Sequence, residues 1–254
     1  MVPKPNGDGS FTTDADQMRP ITVLPELAKV ISRVLATRLA KTLSRFPDVL
    51  TPAQRGFHKD GSVEQGVATL VDIIEDWKQR RSAGENTPLY VVSYDQAKAY
   101  DSVQAYTIRA SLERFNMPES FIQLVLSSVT DASSRVRTFH GLTESFTLQS
   151  SVRQGDPLAP LIYALITDAM HEGLRNNPLV QGPLAQEGGY KFAGATHTGE
   201  QVRVCSVGYT DDAAVAACNP HRLLEMHKWI REFYGAHCFI LNCTTHRPSV
   251  ERTG

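Results

Sequence analysis

Three short stretches of this 254-residue chain carry side chains that could do chemistry together. Tyr209-Thr210-Asp211-Asp212 sets two adjacent carboxylates between the apolar runs Cys205-Ser206-Val207 and Ala213-Ala214-Val215-Ala216, with no basic neighbour nearby in sequence. Unpaired like charges next to a hydrophobic sheet are costly and are driven toward protonation. A surface turn resolves the cost, since Asp is at home in turns; a bound divalent cation resolves it equally well. Asp95 follows the apolar run Leu89-Tyr90-Val91-Val92-Ser93-Tyr94 and leads into Gln96-Ala97-Lys98-Ala99-Tyr100-Asp101. A strand end beside a hairpin tip can bring carboxylates from distant sequence to one place. Mg²⁺ takes a few carboxylates plus waters and substrate phosphates, and two such ions ~3.5–4 Å apart can clamp both oxygens of a phosphoryl transfer. The third stretch is Arg153-Gln154-Gly155-Asp156-Pro157-Leu158. There Gly155 lets a backbone come close to a ligand and Pro157 opens a helix, as an ordinary loop-to-helix junction also would.

The elements that must hold these residues follow from periodicity. Leu27, Val30, Ile31, Val34, Leu35 and Leu39 recur at helical spacing after Pro25. Ser62 and Gln65 predict a capping box opening a second helix, with a buried stripe of Val63, Val67, Leu70, Ile74 and Trp77. Residues 89–94 read as a buried strand. Helices follow through Ile108, Leu112 and Phe115, and again over 121–129. A hairpin pairs 135–139 with 145–149 around His140-Gly141. An apolar helix covers 158–174, two short strands cover 202–207 and 213–217, a helix spans 220–234, and a strand lies near 239–241. Helices mixed with separated hairpins indicate an α+β fold rather than a doubly wound parallel sheet.

Hydrophobic residues make up 41% of the chain and charged residues 21%, ordinary values for a globular protein. No run is long and apolar enough to predict a membrane span or signal peptide. Four cysteines at irregular spacing indicate neither a disulfide framework nor a zinc site, and His237, Cys238, Cys243 and His246 match no zinc pattern. These features predict an intracellular protein of the nucleus or cytoplasm. The net charge of −1 speaks mildly against nucleic-acid binding. Between Lys29 and Lys59, however, seven Lys or Arg face a single acid, Asp48; a solvated helix face would look the same.

Taken in order, Asp-x-x-x-Ala-Tyr (95–100), Arg-Gln-Gly-Asp-Pro-Leu (153–158) and Tyr-Thr-Asp-Asp (209–212) resemble three successive palm motifs of reverse transcriptases. Lys98-Ala99-Tyr100-Asp101-Ser102-Val103 is similar to the first palm motif of non-LTR (LINE-type) retrotransposon enzymes; Arg19-Pro20-Ile21 and Gln54-Arg55-Gly56-Phe57 resemble their fingers motifs. The resemblance implies the fingers and palm of a right-hand polymerase, with an antiparallel palm sheet backed by helices. Residues 1–88 would form a fingers-like region and 89–254 the palm, with a fingers-derived hairpin near 134–150. It also implies RNA-directed DNA polymerase activity, in which deoxynucleotides join a primer 3′ end by two-metal-ion catalysis.

By the same resemblance, Asp95, Asp211 and Asp212 are the catalytic metal ligands for two Mg²⁺ ions, or Mn²⁺. Tyr100 is a steric gate against ribose 2′-hydroxyls, though a core aromatic is its plainer reading. Gln154, Gly155 and Arg19 contact the incoming nucleotide or template. The partners are an RNA template, a DNA primer and dNTPs, with no membrane. Asp101 and Asp156 fit helix-start positions as well, and Arg153 fits a phosphate contact or a solvated charge. Three departures stand out. No Lys follows Leu241-Asn242, where the family carries a general acid and His246 is the substitute in reach. The stretch 56–62 lacks the Arg-Ser of many relatives. The chain stops at Gly254 without room for a thumb, which suggests a truncated retroelement copy. The alternatives are a catalytically impaired RNA-binding remnant of this fold and an RNA-dependent RNA polymerase.

Overall fold

Short antiparallel pairings frame the chain, and one apolar helix organises its core. The computed structural model describes residues 2–3, 10, 18–46, 49–56, 61–130, 132–148, 152–182, 188–195 and 201–241. Strand β1 (Val2–Pro3) pairs with β2 (Met18–Arg19). Helix α1 (Glu26–Leu43) starts after Pro25, which is its N-cap rather than a first-turn residue. It buries Ser32, Leu35, Ala36, Leu39 and Leu43, while Leu27, Val30, Ile31 and Val34 of the expected stripe are exposed. Helical spacing finds an apolar face; which part of that face is covered depends on the neighbour, here a helix that begins at residue 159. Helix α2 (Val63–Ser82) opens as expected, with the Gln65 N–H donating to Ser62 Oγ at 3.2 Å. Its buried positions are Gly66 and Ile73, one step away from the predicted Val63, Val67 and Ile74, which are exposed. The absence of a side chain at Gly66 decides this: a Cβ there would lie 3.2 Å from Val207, so the helix seats its glycine against the sheet.

Strand β3 (Tyr90–Tyr94) alternates instead of being buried throughout; Val91 is exposed and Tyr94 buried. It is followed by β4 (Gln96–Ala97), α3 (Ala105–Arg114) and α4 (Glu119–Val129). The expected hairpin is two nested pairings. Strands β5 (Ala132–Ser134) and β8 (Phe146–Leu148) form the outer one, and β6 (Arg137–Thr138) and β7 (Gly141–Leu142) the tip. Helix α5 (Ala159–Asn176) is buried along nearly its whole length, including Leu161, Ile162, Leu165, Ile166, Met170 and Leu174. Each such side chain contributes roughly 1.5–3 kcal/mol by leaving water, so α5 is the axis on which α1, α3 and the later helix pack.

A short helix α6 (Pro178–Gln181) and strand β9 (Tyr190–Ala195) come next. The single strand expected over 202–207 divides at Cys205: β10 (Gln201–Val204) pairs with β9, and β11 (Ser206–Tyr209) turns to a different sheet. Strand β12 (Asp212–Ala217), helix α7 (Pro220–Ala236) and strand β13 (Ile240–Leu241), which pairs with β4, complete the order. The central sheet runs β11-β12-β3, antiparallel throughout, with α5 and α7 packed against it. The mixed order matches the α+β expectation. None of the described helices is long and apolar enough to cross a membrane.

Candidate active site

Register builds the carboxylate cluster. β3 and β12 pair from Ala217↔Tyr90 to Ala213↔Tyr94, so the next step sets Asp95 opposite Asp212. β11 and β12 pair up to Tyr209↔Asp212, leaving Thr210 and Asp211 as a two-residue turn. Such turns match the twist of the flanking strands when their first residues take positive φ, usually Gly or Asn. Here Thr210 does so, at φ +56°. Its hydroxyl lies 2.7 Å from the Tyr209 carbonyl and 2.8 Å from Asp211 Oδ1, which fixes the Asp211 carboxylate relative to the turn.

The electrostatics agree with the register. The Asp212 carboxyl is pushed above the usual carboxylate range, first by partial burial and then by the charges of Asp211 and Asp95. Asp211 and Asp95 are therefore both close enough to act on Asp212. Near them lie three phenols, Tyr163 and Tyr234 buried and Tyr100 half-buried. Tyr100 is pushed up to about 12 by burial and by Asp211 and Tyr209, against a hydrogen bond from Thr210. Tyr163 stacks on Tyr100 at 4.9 Å and is raised mainly by burial, with Tyr234, Asp211 and Tyr100 adding to it. Tyr234 is raised by burial and then by Asp211. The floor of the cluster is thus neutral, while Asp95 and Asp212 are exposed above it. Among the described residues no three Asp, Glu, His or Cys side chains close on a common point. Carboxylate oxygens are donors that a hard cation takes together with waters or substrate oxygens, unlike the ligands of a closed zinc cage.

The loop 152–158 is tied to the same place through the backbone. Val152 N–H donates to the Tyr100 carbonyl at 3.1 Å, and Thr22 N–H donates to the Gln154 carbonyl at 2.8 Å. Gly155 has φ +108°, and a Cβ there would sit 2.7 Å from the Thr22 carbonyl oxygen. The close approach expected at this glycine is thus made by the chain's own backbone. Asp156 behaves as a helix-start residue: buried, it accepts from Leu158 N–H at 2.8 Å and from the Ser32 hydroxyl. Arg153 is half-buried, and its guanidinium donates to the Ser128 carbonyl at 2.8 Å. For Arg19 the backbone pairs in β2, while its side chain lies outside the described residues. The 242–254 stretch, with His246 and the missing fourth-motif Lys, and residues 57–60 also lie outside them.

One residue beneath the turn received no role from the sequence. Gln54, fully buried, donates from Nε2 to Thr167 Oγ1 on α5 at 2.7 Å; its Oε1 accepts from Gly56 N–H at 2.8 Å and Thr210 N–H at 3.4 Å. The adjoining backbone pairs with β11, Arg55 N–H to the Gly208 carbonyl at 2.8 Å and Gly208 N–H to the Ala53 carbonyl at 2.9 Å. Gly56 leaves no room for a side chain, since a Cβ would lie 3.0 Å from Thr210 N and Cγ2. The sequence singled Gln54 out only as part of the Gln54-Arg55-Gly56-Phe57 stretch that resembles a fingers motif.

A family model described as "Reverse transcriptase (RNA-dependent DNA polymerase)" matches residues 2–244. This chain belongs to the reverse transcriptase family. It is 28% identical over 189 residues to the retrovirus-related Pol polyprotein from the type-1 retrotransposable element R2 of Popillia japonica, covering 74% of this chain and 24% of that protein. It is 29% identical over 153 residues to the type-2 R2DM counterpart of Drosophila melanogaster, covering 60% and 13%. The chain thus spans a quarter or less of these relatives' length. Telomerase from Candida albicans, solved with a fragment of telomeric RNA, shares the fold at a TM-score of 0.55 with 13% identity, over 89% of this chain and 36% of that one. Apo telomerase from Candida tropicalis truncated from its C-terminal domain gives 0.54, with 87% and 42% covered. The fold is accordingly the fingers and palm of a right-hand polymerase, and the R2 relatives place the chain on the non-LTR branch.

Proposed function

We propose that this chain is the RNA-directed DNA polymerase domain of a retrotransposon Pol polyprotein. It adds deoxynucleotides to a primer 3′ end along an RNA template, with Asp95, Asp211 and Asp212 holding two Mg²⁺ ions, replaceable by Mn²⁺. The observation that carries this reading is the β3–β12 register, which sets Asp95 opposite Asp212 with Asp211 in the adjoining turn. The raised Asp212 carboxyl supports it, because a cation offsets both the burial that chiefly raises it and the charges of Asp211 and Asp95 that add to it. Bound divalent ions supply charge stabilisation for the attacking 3′ oxygen and the departing pyrophosphate.

The chain's own residues do the rest. Asp211, oriented by the Thr210 hydroxyl, and Asp95, carried by the end of a paired strand, present carboxylates without reorganisation at the moment of reaction. Tyr100, braced on Tyr163, stands beside Asp211 and crowds a ribose 2′-hydroxyl, which favours deoxynucleotides. Gln154 and Gly155, tied to Tyr100 through Val152, orient the nucleotide and template, and the family resemblance assigns Arg19 to the triphosphate or the template backbone. Nucleic-acid and dNTP substrates put this work in the nucleus or cytoplasm.

Primer extension on an RNA template with Mg²⁺ or Mn²⁺ tests the proposal. Incorporation of dNTPs is expected and Asp211→Asn abolishes it; Tyr100→Ala lowers discrimination against ribonucleotides. RNA binding without incorporation would overturn the proposal in favour of a silent RNA-binding remnant. Preferential incorporation of ribonucleotides would point to an RNA polymerase instead.

A further inference from the structure

A second charged cavity lies along the same strand, away from the carboxylates. It encloses about 480 Å³, within the range of small-ligand sites. The loop 51–55, Thr69 of α2, the end of α5 and the β10–β11 junction form its walls. Its lining residues include none of Asp95, Asp211 and Asp212. Cavity and carboxylates are therefore distinct places on the molecule.

Three arginines reach this cavity: Arg55, Arg175 and Arg203. Among the described residues no carboxylate lines it and none of the three is ion-paired. Asp168, behind Thr51, is engaged by the Thr51 N–H and hydroxyl and by Arg114. Arg203 donates to the Gln181 side-chain oxygen and, at 3.0 Å, to the Gly188 carbonyl. These neutral acceptors fix the guanidinium's direction without cancelling its charge. Arg203 and Arg175 both act on the Cys205 thiol, so their charges converge on one wall. Guanidinium groups gathered in this way repel one another. Their planar N–H forks match phosphate oxygens, and an anion between them relieves the repulsion.

We propose that this cavity binds a phosphate group, in the size range of a nucleotide, through Arg175 and Arg203 with Arg55 at its rim. Phosphate of this kind comes either from a nucleic-acid backbone or from a free phosphorylated small molecule. Neither source depends on the polymerase reading above.

The test is run in EDTA, so that the carboxylates hold no metal and cannot bridge to phosphate. Two titrations at constant ionic strength are compared: anisotropy of a labelled 12-nucleotide oligouridylate, and thermal unfolding with inorganic phosphate. Arg175→Gln is the primary variant, because the guanidinium makes no described hydrogen bond that folding would miss. Arg203→Gln is the second variant, and Arg231→Gln, an exposed arginine on α7, is the control. Weakening of oligouridylate binding by about tenfold in both cavity variants but not the control supports a strand-backbone ligand. A phosphate-dependent rise in Tm that the cavity variants lose, with RNA binding unchanged, supports a free phosphate ligand. Wild-type behaviour of both cavity variants in both titrations, or effects matched by Arg231→Gln, would overturn the proposal.

Discussion

Gln54→Leu removes the amide that joins the 51–56 loop, helix α5 and the Thr210-Asp211 turn while keeping the side chain's bulk. Two buried N–H donors, of Gly56 at 2.8 Å and Thr210 at 3.4 Å, then lose their acceptor. An unsatisfied buried donor costs about 1–3 kcal/mol, with the longer bond counted at the low end. Thr167 loses only an incoming bond, since its hydroxyl still donates toward the Tyr163 carbonyl at 3.1 Å. The sum is a destabilisation of about 3 kcal/mol, below the ~5–15 kcal/mol that holds a typical domain together, so the variant folds. The turn suffers separately. Thr210 sits at φ +56°, a conformation costing a non-glycine residue about 1–2 kcal/mol. Without the Gln54 anchor the turn relaxes and carries Asp211 with it. Urea unfolding should therefore show a lowered midpoint with an unchanged slope, and single-turnover dNTP incorporation should fall much more than RNA affinity. Thr210→Gly, which removes the strain, should restore part of the stability. A Gln54→Leu midpoint equivalent to within 0.5 kcal/mol of wild type, roughly the level of an inconsequential surface substitution, would refute the reasoning.

Three further outcomes follow from the same contacts. Gly155→Ala combines a left-handed backbone with a Cβ at 2.7 Å from the Thr22 carbonyl. It should cost about 3 kcal/mol, read as a Tm drop on the order of 6–12 °C for a chain of this size; an unchanged Tm would show that the loop moves freely. Asp168→Ala strips the buried partner from Thr51 and Arg114 and should destabilise by about 3–5 kcal/mol in denaturant. Glu172→Ala, at the half-exposed end of the same arginine, should cost under about 1 kcal/mol. His171 is buried and neutral, its pKa held down at about 4 by burial against the opposing pull of Asp168. The unfolded chain protonates it near 6.5, so between those values only the unfolded state gains the proton. Its contribution is full above pH 6.5 and falls by about 3 kcal/mol as pH drops to 4. His171→Asn should flatten that part of the pH–stability curve, and an identical curve would contradict the assignment.

Legibility differed between the site and its support. The positions of Asp95 after a strand and of Asp211-Asp212 at a turn were readable because their neighbours are short-range signals: an apolar strand before Asp95 and a two-residue turn between apolar strands. The Ser62 cap was readable for the same local reason, whereas α5 opens at Ala159, two residues after the expected Pro157. Burial was less so. Both α1 and α2 show a correct apolar period, yet the covered positions are set by the helix or glycine contact that each meets, and those partners are distant in sequence. The division of the 202–207 run at Cys205 is likewise a change of strand partner, not of composition.

The sequence by itself determined the reactive groups, their order and the α+β class, because these depend on residue identity and local periodicity. Only the tertiary structure decided that Asp95 faces Asp212, that Gln54 anchors the turn and that three arginines share one cavity. Each of those depends on strand register or on a loop laid across the sheet, and such long-range geometry is fixed by how the whole core packs.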